Sequence, residues 1–165
     1  MEIYKLKRDD WKYYRDLRLE ALLSDPEAFG DSYAETVKRT DDEWKEKMEK
    51  TTSHIFVARE GDEYFGMAAA FQEQGEKIAH IAYVWGVYLR KAYRGQGIGR
   101  QLMQSLLDEL QKNNEIKKIN LNVNTKQVAA VKLYESFGFQ IAGTLHKELK
   151  INGEYFDEYA MEKLL

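Results

Sequence analysis

The chain contains no cysteine, which excludes disulfides, thiolate zinc sites and a cysteine nucleophile, and suits a reducing compartment. Nor does it contain a long apolar run. The longest, IAHIAYVWGVYL at 78–89, is too short to span a bilayer, and the opening MEIYKLKRDD has no apolar signal core. A cytoplasmic protein with no membrane partner is expected. A third absence is local: no Asp or Glu lies between Lys77 and Leu107, a segment that holds Lys77, Arg90, Lys91, Arg94 and Arg100. The whole chain carries −3, so this +5 segment leaves −8 elsewhere. An acidic chain argues against nucleic acid, while a basic island within it suits a compact anionic ligand. His54, His80 and His146 show no ligand spacing, so no metal is expected.

The composition, 44% apolar and 32% charged over 165 residues, fits one globular domain spanning 1–165. There is no linker, repeat or low-complexity tract. IYKLK (3–7) reads as a strand. Asp9 or Asp10 caps a helix that carries Trp11, Tyr14, Leu17, Arg18, Ala21 and Leu22, and Pro26 ends or interrupts it. Residues 32–50 read as helix in two pieces, broken near Thr40-Asp41-Asp42. HIFVARE (54–60) and EYFGMAAAF (63–71) flank Gly61-Asp62 as a hairpin. A longer strand is expected from Lys77 to Leu89, with Gly86 marking a bulge or a close approach. A helix from Ile98 to Lys112, a strand at 117–123, a helix from Gln127 to Phe137 and a hairpin about Asn152-Gly153 complete the chain. This order predicts an α/β (α+β) fold.

YRGQGIGRQLMQSLL (93–107) places three of the 11 glycines at 95, 97 and 99, where a strand ends and a helix begins. A first helical turn offers free N–H groups and partial positive charge. Glycines there remove the Cβ atoms that would hold an anion away, so a pyrophosphate suits the loop. A P-loop is excluded, since no Gly-Lys-Ser/Thr occurs. A dinucleotide fingerprint is excluded because Arg100 stands where its third glycine belongs.

The pattern Arg/Gln-x-x-Gly-x-Gly/Ala, here Arg94-Gly95-Gln96-Gly97-Ile98-Gly99, resembles that of the GNAT superfamily of acetyl-coenzyme-A-dependent N-acyltransferases. ALLSDPEAFGDSY (21–33) and LYESFGF (133–139) extend the resemblance over nearly the whole chain. It implies a mixed central sheet of about seven strands with a splayed parallel pair, flanked by about four helices. It implies transfer of an acetyl group from acetyl-CoA to a primary amine by direct attack in a ternary complex, without a metal. A non-catalytic acetyl-CoA sensor of the same fold is the alternative.

Carried over by position, Gly86 matches the family's bulge. Val87, Tyr88 and Leu89 match the stretch whose backbone pairs with the pantetheine arm, and the Val87 amide would face the thioester carbonyl. The amides of Gly95, Gln96, Gly97, Ile98, Gly99 and Arg100 would hold the pyrophosphate, with Arg94 adding charge. Arg90 and Lys91 are candidates for the adenosine phosphate. Tyr134 matches the tyrosine that protonates the departing thiolate, although its place on a helical stripe with Ala130 and Phe137 also suits packing.

Two positions depart from the family. Gln127 stands where an asparagine usually bonds the cofactor arm, with Asn124 as a substitute. Ile81 stands where some members carry a glutamate base. Tyr83, or a carboxylate such as Glu27, Asp31 or Glu35, is left to lead a proton away. The early helices and the last hairpin are acidic (Glu27, Asp31, Glu35, Asp41, Asp42, Glu43, then Glu148, Glu154, Asp157, Glu158). Such a rim attracts acceptors with a second positive charge, and a solvated charged face is the plainer reading. A homodimer through sheet edges is compatible with the chain.

Overall fold

Seven strands form one sheet in the computed structural model, which describes residues 1–49 and 52–165. In chain order the elements are β1 (Glu2–Lys5), α1 (Trp11–Ser24), α2 (Tyr33–Thr36), α3 (Asp41–Glu49), β2 (Ser53–Glu60), β3 (Glu63–Gln72), β4 (Ile81–Leu89), α4 (Ile98–Gln111), β5 (Lys118–Asn124), α5 (Val128–Ser136), β6 (Gln140–Ile151) and β7 (Glu154–Leu164). The strands lie in the order β1-β2-β3-β4-β5-β7-β6. Every neighbouring pair is antiparallel except β4 with β5.

The sheet buries both faces. Side chains alternate along a strand, so Phe56 and Ala58 of β2 join a core with the α4 residues Leu102 and Leu106. Ile55 and Val57 of the same strand point the other way, toward Tyr14 and Leu17 of α1 and Trp44 of α3. The buried stripe of α4 (Ile98, Leu102, Met103, Leu106, Leu107, Leu110) follows helical spacing.

One irregularity opens the sheet. β4 pairs with β5 only over Ile81–Tyr83 against Lys118–Asn120. Against β3 the register runs from Ala69↔Trp85 to Met67↔Tyr88, so β4 holds one residue more than its partner there. Gly86 sits in this bulge at φ +65°, a conformation that favours glycine. A bulge bends its strand, and beyond Tyr83 the parallel neighbours have parted.

Three expectations shift. β4 starts at Ile81 rather than Lys77, because the N–H groups of Ile78 and Ala79 fold back onto the Gly75 carbonyl at 3.0 and 2.9 Å. Lys77 and His80 therefore lie in a turn. Among the described residues five α-helices stand where about four were expected, the extra one a single turn at 33–36 that Ser32 caps by accepting from Glu35 N–H. The expected helix end at residue 50 lies outside the described residues. Asp10 directs its carboxylate to the Lys7 amide (2.7 Å) rather than capping α1. The signal at Thr40 is a reciprocal cap: Glu43 accepts from Thr40 N–H at 2.6 Å while Thr40 Oγ1 accepts from Glu43 N–H. Among the described residues no helix is long and apolar enough to cross a membrane.

Candidate active site

A cleft of about 1800 Å³ lies along the parting of β4 and β5. The free edge of β4, Tyr83 to Leu89, forms one wall, and Leu121–Val123 with the α5 residues Ala130, Leu133 and Tyr134 forms the other. The first turn of α4 closes one end. Arg18, Phe29, Asp31, Lys47, Glu148 and Glu158 also line the cleft.

At the α4 end, Gly95 and Gly97 have φ of +76° and +79° and line the cleft with Gly99. A Cβ on Gly95 or Gly97 would meet nothing within 4 Å. These two glycines are therefore set by backbone conformation, and open space lies over them. Gly99 differs, since a Cβ there would make ordinary contact with Leu133 at 3.6 Å. By helix geometry the amides of Ile98, Gly99 and Arg100 have no intrahelical acceptor. Ile98 sends its side chain into the core beneath them, outside the cleft wall.

The basic side chains are more engaged than their spacing suggests. Arg94 lines the cleft but donates from Nε to the Leu89 carbonyl (2.7 Å) and from Nη2 to Asp25 (2.9 Å). Arg100 lines it too, donating to Ser136 Oγ at 2.8 Å. Arg90 is turned away, held by both oxygens of Glu20 at 2.7 Å and by Glu63 at 2.9 Å. Gln96 donates to the Ala92 carbonyl at 3.0 Å, and neither it nor Lys91 lines the cleft.

Gln127 precedes α5 and lines the cleft. Asn124 does not. It is 1% exposed, donates to the Glu27 carbonyl (3.2 Å) and accepts from Lys126 N–H (2.9 Å), so its amide fastens the loop after β5 to the segment after α1. Tyr134 is buried with its ring edge-on to Phe139, and burial pushes its phenol up. Tyr88 contributes its stretch of β4, while its hydroxyl bonds Glu20 and Ser24.

Sequence reasoning counted Glu158 only as part of an acidic rim. It is 8% exposed, lies on β7 opposite Asn124, and lines the cleft. Desolvation, then the nearby Glu148 carboxylate, raises its pKa, opposed by a hydrogen bond to Asn122. Desolvation and the same two carboxylates raise the Tyr83 phenol. Of the three early carboxylates suggested for the proton path, Glu27 and Asp31 line the cleft and Glu35 does not. Glu35 serves the Ser32 cap, Asp41 and Asp42 pair with Arg15 and Lys45, and Asp31 pairs with Arg18 and Arg39. Three of the six early carboxylates, Asp31, Asp41 and Asp42, are thus paired with cations.

Residues 4–139 match the model of the acetyltransferase (GNAT) family. The L-amino acid N-acetyltransferase AaaT of Escherichia coli is 25% identical over 126 residues, 76% of this chain and 77% of its own. The spermine/spermidine N(1)-acetyltransferase of Bacillus subtilis is 33% identical over 92 residues, 54% of this chain and 57% of its own. The fold is that of the yncA protein of Salmonella typhimurium, solved with its cofactor acetyl-CoA: TM-score 0.84, 20% identity, covering 100% of this chain and 94% of that one. The chain belongs to the acetyltransferase (GNAT) family and is an acetyl-CoA-dependent acyltransferase.

Proposed function

We propose that the chain, as one domain over 1–165, acetylates a primary amine by direct attack within a ternary complex. The observation that carries this reading is the end of β4–β5 pairing at Tyr83. It leaves the β4 backbone free along a cleft whose far end is a helix start with open space over Gly95 and Gly97. These features fit an extended arm that ends in phosphates. The β4 edge would take the arm's amides as an added strand, and the α4 amides with Arg100 would take the pyrophosphate. Acetyl-CoA supplies the acetyl thioester. The relatives named above act on amino acids and polyamines, which supports an amine acceptor.

The chain's own residues then have three tasks. The Val87 amide stabilises negative charge growing on the carbonyl oxygen. An attacking amine must lose a proton, and Glu158 is the base best placed to take it. Its raised pKa makes it a stronger base than an ordinary carboxylate, and Tyr83, protonated at neutral pH, orders the path beside it. Tyr134 faces the leaving sulfur. Its raised pKa makes full transfer to a thiolate uphill, so it acts as a hydrogen-bond donor while charge develops.

The test is calorimetry with acetyl-CoA on the parent and a Gly97→Asp variant, followed by thiol release with an amine panel. Saturable one-to-one binding, lost in the variant, is expected, because a carboxylate at the helix start repels phosphate. A folded parent that does not bind acetyl-CoA would overturn the reading.

A further inference from the structure

Six buried side-chain atoms have no hydrogen-bond partner among the described residues: Tyr14 Oη, Arg18 Nε and Nη1, Thr36 Oγ1, Arg39 Nη1 and Trp85 Nε1. Buried polar atoms are nearly always paired, so unpaired donors on Arg18 and Trp85, two residues that line the cleft, mark where an acceptor is missing. Those on Tyr14, Arg18, Arg39 and Trp85 are neighbours: the Arg18 guanidinium lies 5.3 Å from the Trp85 ring, Tyr14 meets Trp85 and Trp44 edge-on, and Arg39 lies 5.6 Å from the Trp44 ring. All six can donate, and the four on arginine and tryptophan can only donate. What satisfies the arginine and tryptophan groups must accept hydrogen bonds.

Charge agrees. Arg18 is 3% exposed and shares one carboxylate, Asp31, with Arg39, at 3.1 and 3.6 Å. Two guanidinium groups on one carboxylate leave the cluster positive, and Arg18 and Trp85 line the cleft. Arg18 is also close to the strand irregularity. A Cβ on Gly86 would lie 3.6 Å from Arg18 Nη1, and Gly86 adjoins Val87. An anion held by Arg18 therefore lies beside the attacking amine, not a chain length away. Glu148 and Glu158 line the same cleft, so its lining carries both signs of charge.

We propose that the acceptor is a free amino acid, its carboxylate received by Arg18 and Trp85 Nε1 and its ammonium by the Glu158 side. This rests on the acetyltransferase reading above and narrows its acceptor. An α-amino acid carries both groups on one carbon, which matches the closeness of Arg18 to the bulge. A polyamine would place a second cation against the arginines.

The experiment measures thiol release at saturating acetyl-CoA for the twenty common amino acids, each compared with the amine that lacks its carboxylate. At least one amino acid is expected to exceed its matched amine tenfold or more in kcat/KM. Arg18→Lys and Trp85→Phe should each shrink that ratio, the loss falling on KM for the amino acid rather than on kcat. Because Arg18 also anchors Asp31, the ratio in the unaltered protein carries the test by itself. Equal or better turnover of the matched amines overturns the proposal and leaves the acetyltransferase reading intact. So does a protein that binds acetyl-CoA in the calorimeter yet acetylates no amino acid. Failure to bind acetyl-CoA is the different result that removes the underlying reading. Succinyl-CoA with a plain amine should give no gain over acetyl-CoA. A gain abolished by Arg18→Lys would place the carboxylate on the donor and overturn the acceptor assignment.

Discussion

Arg94 reaches from the glycine loop to Asp25 at the end of α1, donating from Nη2 across 2.9 Å while its Nε holds the Leu89 carbonyl. One guanidinium thus ties the last residue of β4, the start of the loop and the end of α1 together. Lysine has no rigid fork and cannot make both contacts in this geometry. Arg94→Lys is expected to cost about 1 kcal/mol of stability and to raise KM for acetyl-CoA several-fold. Asp25→Asn should reproduce most of both losses in urea melts and initial-rate assays. If Asp25→Asn leaves KM unchanged while Arg94→Lys raises it, Arg94 contacts the cofactor directly instead of positioning the loop.

Glu158 has opposite effects on stability and on rate. Its folded pKa lies above the unfolded one, so whatever stability it contributes is present below the unfolded pKa and lost as pH rises through the folded pKa. Glu158→Gln should therefore be at least as stable as the parent at pH 7, while kcat/KM falls by about a hundredfold. The acidic limb of the pH–rate profile should lie above the ordinary carboxylate range in the parent and vanish in the variant. Thermal melts and a pH series of initial rates check this. A variant that keeps the limb would move the base elsewhere.

These two residues also mark where the sequence is legible. Features set by neighbours along the chain are readable: the α4 stripe, the Thr40–Glu43 cap, the Asn152-Gly153 turn with both residues at positive φ, and the glycines before α4. Features set by distant partners are not. Nothing near Arg94 announces Asp25, and nothing near Asn124 announces the Glu27 carbonyl, so both read as ligand contacts. Glu158 enters the cleft because β7 pairs with β5, and Arg18 looks like another position on an amphipathic helix until Gly86 comes beside it. The glycine turn that opens α4 is a local motif. The part of the cleft lined by Arg18, Trp85 and Glu158 is assembled from α1, β4 and β7 and appears only after folding.

Tyr134→Phe separates chemistry from packing. Phenylalanine keeps the ring that meets Phe139 edge-on, at a centroid distance of 6.2 Å, and removes only the hydroxyl. If the hydroxyl donates to the leaving sulfur, kcat should fall by about a hundredfold while calorimetric affinity for acetyl-CoA holds within a factor of about three, roughly 0.6 kcal/mol. A variant with unchanged kcat would make Tyr134 a packing residue.

Glu109 gives a prediction independent of the cleft. This α4 carboxylate accepts from Lys5 of β1 at 2.6 Å and from Lys112 at 2.8 Å, and these bonds hold its pKa at about 2. A carboxylate whose pKa is depressed on folding contributes stability above its unfolded pKa. That contribution drains away as pH falls from the ordinary value toward the folded one. The pair is near the surface, so it is worth about 1 kcal/mol at most at low salt, and less as salt rises. Glu109→Gln should melt below the parent at pH 7 and converge with it near pH 2. His54, 3.9 Å away, keeps its neutral form at pH 7 because burial lowers its pKa, so it does not mask the difference there. A melting difference of constant size from pH 7 to pH 2 would show that Glu109 acts through packing of its methylenes against the β1 edge and not through its charge.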